Sequence, residues 1–460
     1  MKKLLAMLLL MVMAVSLLAG CGNGGSTSKE PTAEPTQVPA KEEPTSETKE
    51  EAPGTADREW EYKEATLTFL VGNSASLAGL EAVAALAKEK LGITLEIENI
   101  VGGADGDNLL KTRLASGDVT DIVVYNSGAK FMALNPSEYF IDISGEEFAG
   151  RLDDTYAQTV SADGATYGVP QASSQAGAVL YSKPLYEKYN LEIPKTWADF
   201  IKNCQVLKDA GETALIGTFA DSWTTQLLYL GDNFNVLAKE PAFPVDFEAG
   251  IAKYATSEAG LASFAKLAET KDYYNADYMA ATYDDGCDML ANAEGGHWIM
   301  LTQALSNIYE LYGDKVDDIG VFPIPSDDAS VNGLTVWMPL SLYGYKNSDK
   351  KEDIMRFMEF YVSDEGLDAY TSAVLPDGPY CIKGYELPEK SYQAVAKDMQ
   401  PYFDAGNTKV ALEFITAIKG ANCESICQEV VTGQSTAEDA AKAYDADCLK
   451  QAVQLGFDWK

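Results

Sequence analysis

Alternating apolar and polar residues predict a parallel sheet near the start of the globular part of the chain. Segments 66–71 and 93–97 alternate as half-buried strands do. Between them, apolar residues recur at helical spacing at Leu77, Leu80, Ala84, Ala87 and Leu91. A third apolar run, DIVVY at 121–125, follows the helix-like segment NLLKTRLASG. Strands that alternate with helices indicate parallel strands joined by crossover helices.

The sequence also marks two helix starts. Thr196 is followed three residues later by Asp199, and Ser435 is followed by Glu438 at the same spacing. In a capping box, the hydroxyl accepts a hydrogen bond from the backbone N–H three residues later, and the acidic side chain at that later position accepts one from the backbone N–H of the capping residue. We therefore expect Thr196 and Ser435 to cap helices.

The first twenty residues form an apolar leader. Lys2 and Lys3 precede a nearly continuous apolar run that extends to Leu18, which is the layout of a secretory signal. A bilayer-spanning helix needs about 20 apolar residues, and this run is shorter. The leader predicts export from the cytoplasm.

The leader ends at a cysteine. Residues 18–21, LAGC, resemble a bacterial lipobox, in which the thiol of Cys21 is acylated and residues 1–20 are removed. Acyl chains would anchor the protein to the membrane, since each buried methylene contributes about 0.8 kcal/mol. The alternatives are an ordinary cleaved signal with an incidental cysteine, or a short membrane helix. Residues 21–58, rich in Pro, Thr and Glu, predict a disordered tether.

Length and charge narrow the function classes. About 400 residues follow the tether, too many for one compact core, so two lobes are expected. Basic residues number 35 and acidic residues 70, a net charge of −35, which becomes −37 without Lys2 and Lys3. Such a negative field repels phosphate backbones and argues against nucleic acid as a partner.

Six cysteines remain besides Cys21. Four of them lie on apolar helical stripes: Cys204, Cys423, Cys427 and Cys448. This position favours buried thiols over disulfides, because a free thiol behaves as a small hydrophobe. The state of Cys287 and Cys381 is left open.

Three motifs occur in order between Thr166 and Gly211: YGVP, YSKPLYEK and PKTWADF. They resemble the signature region of type-one extracellular solute-binding proteins, the lipoprotein receptors of sugar-importing ABC transporters related to maltose-binding protein. Further landmarks follow the family order, namely DIVVY at 121–125, GGHWIM at 295–300, IGVFPIP at 319–325, KKEDIMRFMEFYVSDEGLDAY at 350–370 and TGQSTAEDAAKAY at 432–444.

The resemblance implies an α/β chain with a two-lobed periplasmic-binding-protein-like fold of the class II type and a ligand cleft between the lobes. The first lobe would comprise 59–170 plus 334–362, and the second 171–333 plus 363–460. It also implies a non-enzymatic, monomeric receptor without cofactor or metal. The receptor would close on its ligand by hinge motion and deliver it to a membrane permease.

A sugar presents apolar ring faces and a rim of hydroxyls, so its site needs aromatic faces and polar side chains. The chain has 25 tyrosines and 6 tryptophans. The resemblance implies that Trp298 is the stacking tryptophan, and His297 beside it is a candidate for a hydrogen bond to a hydroxyl, with a surface or core position as its alternative. Trp223 and Trp337 also follow apolar runs near the expected cleft. Core packing is the alternative for all four.

Polar residues after the predicted strands and after the first crossing between lobes are the remaining candidates for ligand contact: Asn73, Ser74, Asn126, Ser127, Gln171, Ser173 and Ser174. The alternative is turn chemistry, for which Asn and Ser are well suited.

Two other functions stay open. An exported polysaccharide-active enzyme would need a carboxylate pair, and the doublets 284–285, 317–318 and 327–328 supply carboxylates, although helix caps and solvated loops explain them better. A single histidine excludes the HExxH zinc motif. A receptor for a peptide, a metal or another polar solute is the second alternative.

Overall fold

The computed structural model describes residues 59–72, 77–101 and 103–459. The predicted signal peptide, the lipid attachment at Cys21 and the whole of the predicted tether lie outside these residues. None of the helices in the described ranges combines the length and the hydrophobicity that crossing a bilayer requires.

The strands of the described chain are β1 Ala65–Gly72, β2 Ile93–Ile100, β3 Ile122–Tyr125, β4 Ser161–Ala162, β5 Ala165–Thr166, β6 Gly168–Pro170, β7 Gln175–Ser182, β8 Thr213–Leu215, β9 Gly295–Leu301, β10 Ile319–Phe322, β11 Leu334–Trp337, β12 Ser341–Gly344 and β13 Thr408–Val410.

The α-helices are α1 Ala78–Leu91, α2 Gly103–Ser116, α3 Ala129–Met132, α4 Pro136–Tyr139, α5 Asp154–Thr159, α6 Lys183–Tyr189, α7 Trp197–Asp209, α8 Leu227–Gly231, α9 Asn233–Lys239, α10 Phe243–Glu248, α11 Glu258–Thr270, α12 Tyr283–Ala291, α13 Ala304–Tyr312, α14 Lys351–Tyr361, α15 Asp364–Ala373, α16 Gln400–Asp404, α17 Cys423–Val431 and α18 Ala437–Leu455. Shorter helical turns include Ser222–Gln226, Leu412–Phe414 and the π-helix Ala394–Met399.

The first sheet has the strand order β2-β1-β3-β12-β6. β1 pairs in parallel with β2 and with β3, which places Ala65 beside Ile93 and Phe69 beside Ile122. This confirms the parallel strands predicted from the hydrophobic pattern. Since parallel strands end on the same side, the carboxyl ends of β1, β2 and β3 form one edge of the sheet.

The second sheet has the order β13-β11-β7-β9-β8, with β10 pairing along the later part of β7. β7 is antiparallel to both β9 and β11, and β8 is parallel to β9. The carboxyl ends of β8, β9 and β11 therefore lie at one edge, beside the first residue of β7.

Two short segments carry the chain between these edges side by side. Residues 171–174 lead from β6 to β7, and residues 338–340 lead from β11 to β12. The backbone N–H of Gln171 donates to the carbonyl of Leu340 at 2.8 Å, which joins the two segments. Because three or four residues span at most about 14 Å, the two edges are held close together. We call these the crossing segments.

Two elements belong to a different half than the implied lobe boundaries assign them. The strand β11, expected in the first lobe, pairs with β7 and β13 of the second sheet. The helix α15, expected in the second lobe, packs on α1 of the first half, where a Cβ on Gly79 would lie 2.4 Å from the ring of Tyr370. The chain therefore leaves the first half after α15, along residues 374–392.

Of the two predicted helix caps, the structure confirms one and contradicts the other. α7 follows Thr196, whose hydroxyl accepts from the backbone of Asp199 at 3.2 Å, as predicted. The prediction of Ser435 as a cap is wrong. Thr436 accepts from the backbone of Asp439 at 3.1 Å and caps α18 instead.

The six described cysteines are buried and unbridged, which confirms the prediction for the four on helical stripes and extends it to Cys287 and Cys381.

Candidate ligand-binding site

The carboxyl edge of the first sheet carries a polar cluster. The hydroxyl of Tyr125, the last residue of β3, donates to Asp107 Oδ1 at 2.8 Å, and Lys130 Nζ lies 3.4 Å from Asp107 Oδ2. Burial raises the pKa of the Tyr125 hydroxyl, and the carboxylate of Asp107 raises it further. Asn126 follows Tyr125 and is half-buried. Asp107 was not predicted, because it lies inside α2 and carries no strand-end signal.

Of the four residues predicted on this side, the structure describes Asn126 and Ser127. Ser127 is buried, and its hydroxyl donates to the carbonyl of Pro339 at 3.4 Å in the crossing segment. The backbone carbonyl of Asn126 accepts from the hydroxyl of Tyr343 at 3.1 Å. Asn73 and Ser74 lie outside the described residues.

The crossing segments use most of the polar groups predicted there. Gln171 is buried, and its carbonyl accepts from the hydroxyl of Tyr361 at 2.8 Å. The backbone N–H and the hydroxyl of Ser174 both donate to the carbonyl of Pro379, at 3.0 and 2.7 Å. Ser173 is half-buried and accepts from the backbone of Asp377 at 3.2 Å. Ser174 thus holds the crossing in place with its hydroxyl, and Gln171 does so with its backbone.

Trp298 lies in the middle of β9 and not at its carboxyl end. Its side chain is 1% exposed and packs over Gly286, where a Cβ would lie 2.5 Å from the indole. The expected ligand contact does not fit this placement, because the strand continues to Leu301 and the residues that reach the edge are Thr302 and Gln303. The motif GGHWIM lies on β9, and its tryptophan packs in the core.

His297 is also a core residue. Its side chain is fully buried, with Nε2 at 2.8 Å from the hydroxyl of Tyr186 and Nδ1 at 2.8 Å from the carbonyl of Ala214. Burial lowers the pKa of the imidazole to about 4. A neutral ring that donates from Nδ1 and accepts at Nε2 satisfies both partners, so the expectation of a ligand contact does not fit here.

An aromatic pair lies at the carboxyl edge of the second sheet. The rings of Trp223 and Tyr283 are 5.5 Å apart, and both residues are half-buried. The backbone N–H of Tyr283 donates to Asp221 Oδ2 at 2.7 Å, and its hydroxyl donates to Asn307 Oδ1 at 2.8 Å. Trp223 was predicted as a candidate, whereas Tyr283 was missed because it begins a helix and follows no strand.

Tyr283 connects this pair to the core. Its ring lies 5.3 Å from that of Trp298, so Trp298 supports the pair from beneath. We call Trp223 and Tyr283, with Asn307 beside them, the aromatic platform. Aromatic faces and an adjacent amide are what a sugar ring requires for its C–H faces and its hydroxyls.

Trp337 ends β11 opposite Gln175, at the same edge. Its indole N–H donates to Glu413 Oε1 at 2.6 Å, and Lys419 Nζ lies 2.9 Å from Glu413 Oε2. The ring packs against Gly177, where a Cβ would lie 2.5 Å away. Trp337 is half-buried, and its polar atom is already bonded within the protein.

Asp377 is a further carboxylate near the platform. It is half-buried on the segment after α15, and the hydroxyl of Ser306 donates to its Oδ1. Burial raises the pKa of this carboxyl to about 7. Nothing in the sequence around Asp377 marks it, because its partners are distant along the chain.

Two of the three acidic doublets contain an aspartate whose hydrogen bonds are structural. Asp285 completes a capping box with Thr282 at the start of α12, and the two bonds to Thr282 lower its pKa. Asp328 accepts from the backbone and hydroxyl of Ser330 at 2.9 and 2.7 Å. Among the described residues no group of three His, Cys, Asp or Glu side chains could hold a metal ion.

Comparisons with known proteins agree with this architecture. The profile of the family described as bacterial extracellular solute-binding protein matches residues 72–368. A multiple sugar-binding protein of Streptococcus mutans is 32% identical over 123 residues, 26% of this chain and 29% of that protein. An uncharacterized ABC transporter extracellular-binding protein of Pyrococcus horikoshii is 27% identical over 264 residues, 54% of this chain and 58% of that protein. Both alignments span less than two thirds of the relative's own length.

Solved structures show the fold. The apo form of RafE from Streptococcus pneumoniae has a TM-score of 0.71 at 18% identity, covering 85% of this chain and 98% of that one. RafE in complex with raffinose gives 0.65 at 20%, covering 84% and 99%. A family 1 extracellular solute-binding protein from Bifidobacterium longum subsp. infantis gives 0.67 at 23%, again covering 84% and 99%.

These likenesses confirm the predicted α/β, two-lobed fold class, and the family profile confirms the predicted relationship. In this structure, the corresponding features are the two sheets and the short crossing segments that join them. Polar and aromatic side chains lie at the facing edges of the two sheets. Since the profile covers more than half of the chain, the protein belongs to the bacterial extracellular solute-binding proteins.

Proposed function

We propose that this protein is the extracytoplasmic receptor of an ABC importer and that it binds a mono- or oligosaccharide between its two halves. The single observation that carries the proposal is the aromatic platform at the carboxyl edge of the second sheet. Trp223 and Tyr283 offer ring faces, while Asn307 supplies an amide 2.8 Å from the tyrosine hydroxyl. Asp107 and Asn126 offer polar groups on the opposite edge.

The names of similar proteins point to the same ligand class. The relative from Streptococcus mutans is named a multiple sugar-binding protein, and RafE was solved with raffinose. The proposed ligand contacts are therefore Trp223 and Tyr283, with Trp337, Ser173 and Asn126 around them. Asn73 and Ser74 remain predicted contacts.

We propose that the two halves close on the ligand and that the closed form is the signal to the permease. A ligand that touches both edges stabilises the closed form by its differential contacts, and a permease then recognises that form. We propose that the protein acts as a monomer without catalysis, and that lipid on Cys21 tethers it near the permease at high effective concentration.

A thermal-shift screen tests the ligand class. Raffinose, stachyose, xylo-oligosaccharides, chitin oligosaccharides and galactose are compared with peptides and divalent metals, since a ligand that binds only the folded form raises the Tm. We expect a rise with at least one saccharide, and loss of that rise in Trp223→Ala. A rise with a peptide or metal and with no saccharide contradicts the proposal, as does release of glycan fragments by the purified protein.

The anchor has its own test. Cys21→Ser should abolish labelling by radioactive palmitate and leave residues 1–20 attached, because removal of the leader depends on the acylated cysteine. A wild-type protein that takes up no palmitate, or a Cys21→Ser chain that still loses residues 1–20, would contradict the proposal.

A further inference from the structure

Asp377 stands where three parts of the chain meet. Its own segment, residues 374–392, leads from the first half to the second. Its backbone N–H donates to the hydroxyl of Ser173 in the first crossing segment at 3.2 Å, and its carboxyl accepts from Ser306 of α13. Ser306 in turn accepts from the hydroxyl of Tyr392 at 3.3 Å. Asp377 thus contacts the first crossing segment through its backbone N–H and a helix of the second half through its carboxyl.

The helix that Asp377 holds also carries part of the aromatic platform. Ser306 is adjacent to Asn307, which accepts from the hydroxyl of Tyr283 at 2.8 Å. α13 begins at Ala304, directly after the carboxyl end of β9. A shift of this helix relative to the crossing segments would therefore move Asn307 and the ring of Tyr283 together.

The surroundings of Asp377 leave its charge poorly compensated. Among the described residues no lysine, arginine or histidine forms an ion pair with it, and Glu310 on α13 is the charged group that raises its pKa further. The other titratable groups that face it are tyrosines of α12, α15 and the 374–392 segment: Tyr283, Tyr370, Tyr380 and Tyr392.

Burial raises the pKa of each of these tyrosines, so their hydroxyls stay neutral between pH 5 and 9. Asp377 is therefore the group of this cluster that changes charge near neutral pH, where its pKa of about 7 lies. A neutral carboxyl suits the half-buried position, whereas a carboxylate there lacks a cation and faces Glu310.

We propose that Asp377 is a proton-linked positioning residue for the ligand site, which fixes α13, and through it the aromatic platform, against the crossing segments. The protonated form holds the packed arrangement. Loss of the proton loosens the junction and shifts Tyr283 and its neighbour Trp223. This goes beyond the identity of the ligand and does not depend on the ligand being a sugar.

The experiment needs no ligand. Tryptophan fluorescence of the full chain is titrated from pH 5 to 9, and the Trp223 signal is isolated by subtracting that of Trp223→Phe. We expect a one-proton transition with a midpoint near pH 7 in the wild type and none in Asp377→Asn, whose amide is isosteric and does not titrate. Asp398→Asn is the matched control, because Asp398 is another half-buried carboxyl with a raised pKa, but it accepts from the backbone of Val321 in β10.

A second variant keeps the carboxyl itself. Ser306→Ala removes a hydroxyl that favours the carboxylate, so the midpoint should move to higher pH by several tenths of a unit or more. The proposal is overturned if the wild type shows no transition, if the transition survives in Asp377→Asn, if it disappears in Asp398→Asn, or if Ser306→Ala leaves the midpoint unchanged.

Discussion

His297 shows how a single buried ring couples stability to pH. Both of its nitrogens are bonded inside the core, and burial holds its pKa at about 4, below the ordinary value of 6.5. Between these two values the unfolded chain binds a proton that the folded protein does not. The free energy of unfolding therefore decreases as pH falls from about 6.5 to about 4.

Replacement of this ring should remove that dependence. We expect His297→Gln to be less stable than the wild type at pH 7.5, because packing is lost. The gap should narrow by up to about 3 kcal/mol as pH falls to 4, since only the wild type loses stability through His297. Urea denaturation at several pH values measures the gap, and a constant gap would show that this histidine is protonated alike in both states.

Trp223 and Trp298 should differ sharply when truncated. Trp298 is 1% exposed, so Trp298→Ala leaves a cavity and should lower the free energy of unfolding by about 3 to 5 kcal/mol. Trp223 is half-buried, and Trp223→Ala should lower it by about 1 kcal/mol. Urea denaturation compares the two variants, and equal losses would place Trp223 in the core as well.

At the scale of elements, helix caps decide where helices begin. Thr436 caps α18 through its bond to the backbone of Asp439, although Ser435 with Glu438 offers the same spacing one residue earlier. The hydroxyl of Ser435 instead lies 3.3 Å from the carbonyl of Thr436. Two overlapping cap signals cannot be ranked from spacing alone, because the choice depends on how α18 packs.

The two neighbouring hydroxyls provide a matched pair. Thr436→Ala should lower the free energy of unfolding by about 1 kcal/mol, because it removes a cap bond at the start of α18. Ser435→Ala should change it by less than about 0.5 kcal/mol. The thermal midpoints of the two variants decide the matter, and the reverse order would restore Ser435 as the cap.

At the scale of the whole molecule, the two halves touch beside the crossing segments. Gly128 at the start of α3 lies against Phe414, which follows β13 of the second sheet, and a Cβ on Gly128 would be 2.3 Å from the carbonyl oxygen of Phe414. Nearby, the hydroxyls of Thr155 and Thr408 are 2.9 Å apart. These contacts set how closely the halves approach at this side.

A methyl group at Gly128 should push the halves apart. Gly128 has φ of 69° and ψ of −142°, a conformation nearly confined to glycine, and Gly117 has φ of 74°, so Ala is strained at both positions by about 1 to 3 kcal/mol. Gly117 has room for a Cβ, with its nearest atom at 3.5 Å. Gly128→Ala should lower the free energy of unfolding by about 1 to 3 kcal/mol more than Gly117→Ala does.

Small-angle scattering supplies the second measurement for this pair. The radius of gyration should increase in Gly128→Ala and stay unchanged in Gly117→Ala. Equal stability losses with equal radii would mean that Phe414 yields and the contact does not set the distance between the halves.

The sequence predicted what depends on neighbours along the chain. Segments 66–71, 93–97 and 121–125 form strands as expected, since alternation and helical spacing are local consequences of burying one face. The cap at Thr196 and the buried thiols followed from the same kind of pattern. The ordered motifs were enough to indicate the family.

Which side chains meet at the ligand site depended on the tertiary structure. Tyr283, Asn307 and Asp377 lie on three separate elements and converge only because β8, β9 and the crossing segments bring those elements to one edge. Trp298 and His297 matched a motif, yet the length of β9 places them in the core. Spacing along a chain fixes the face of an element, whereas the distance between elements is set by how the sheets close around their cores.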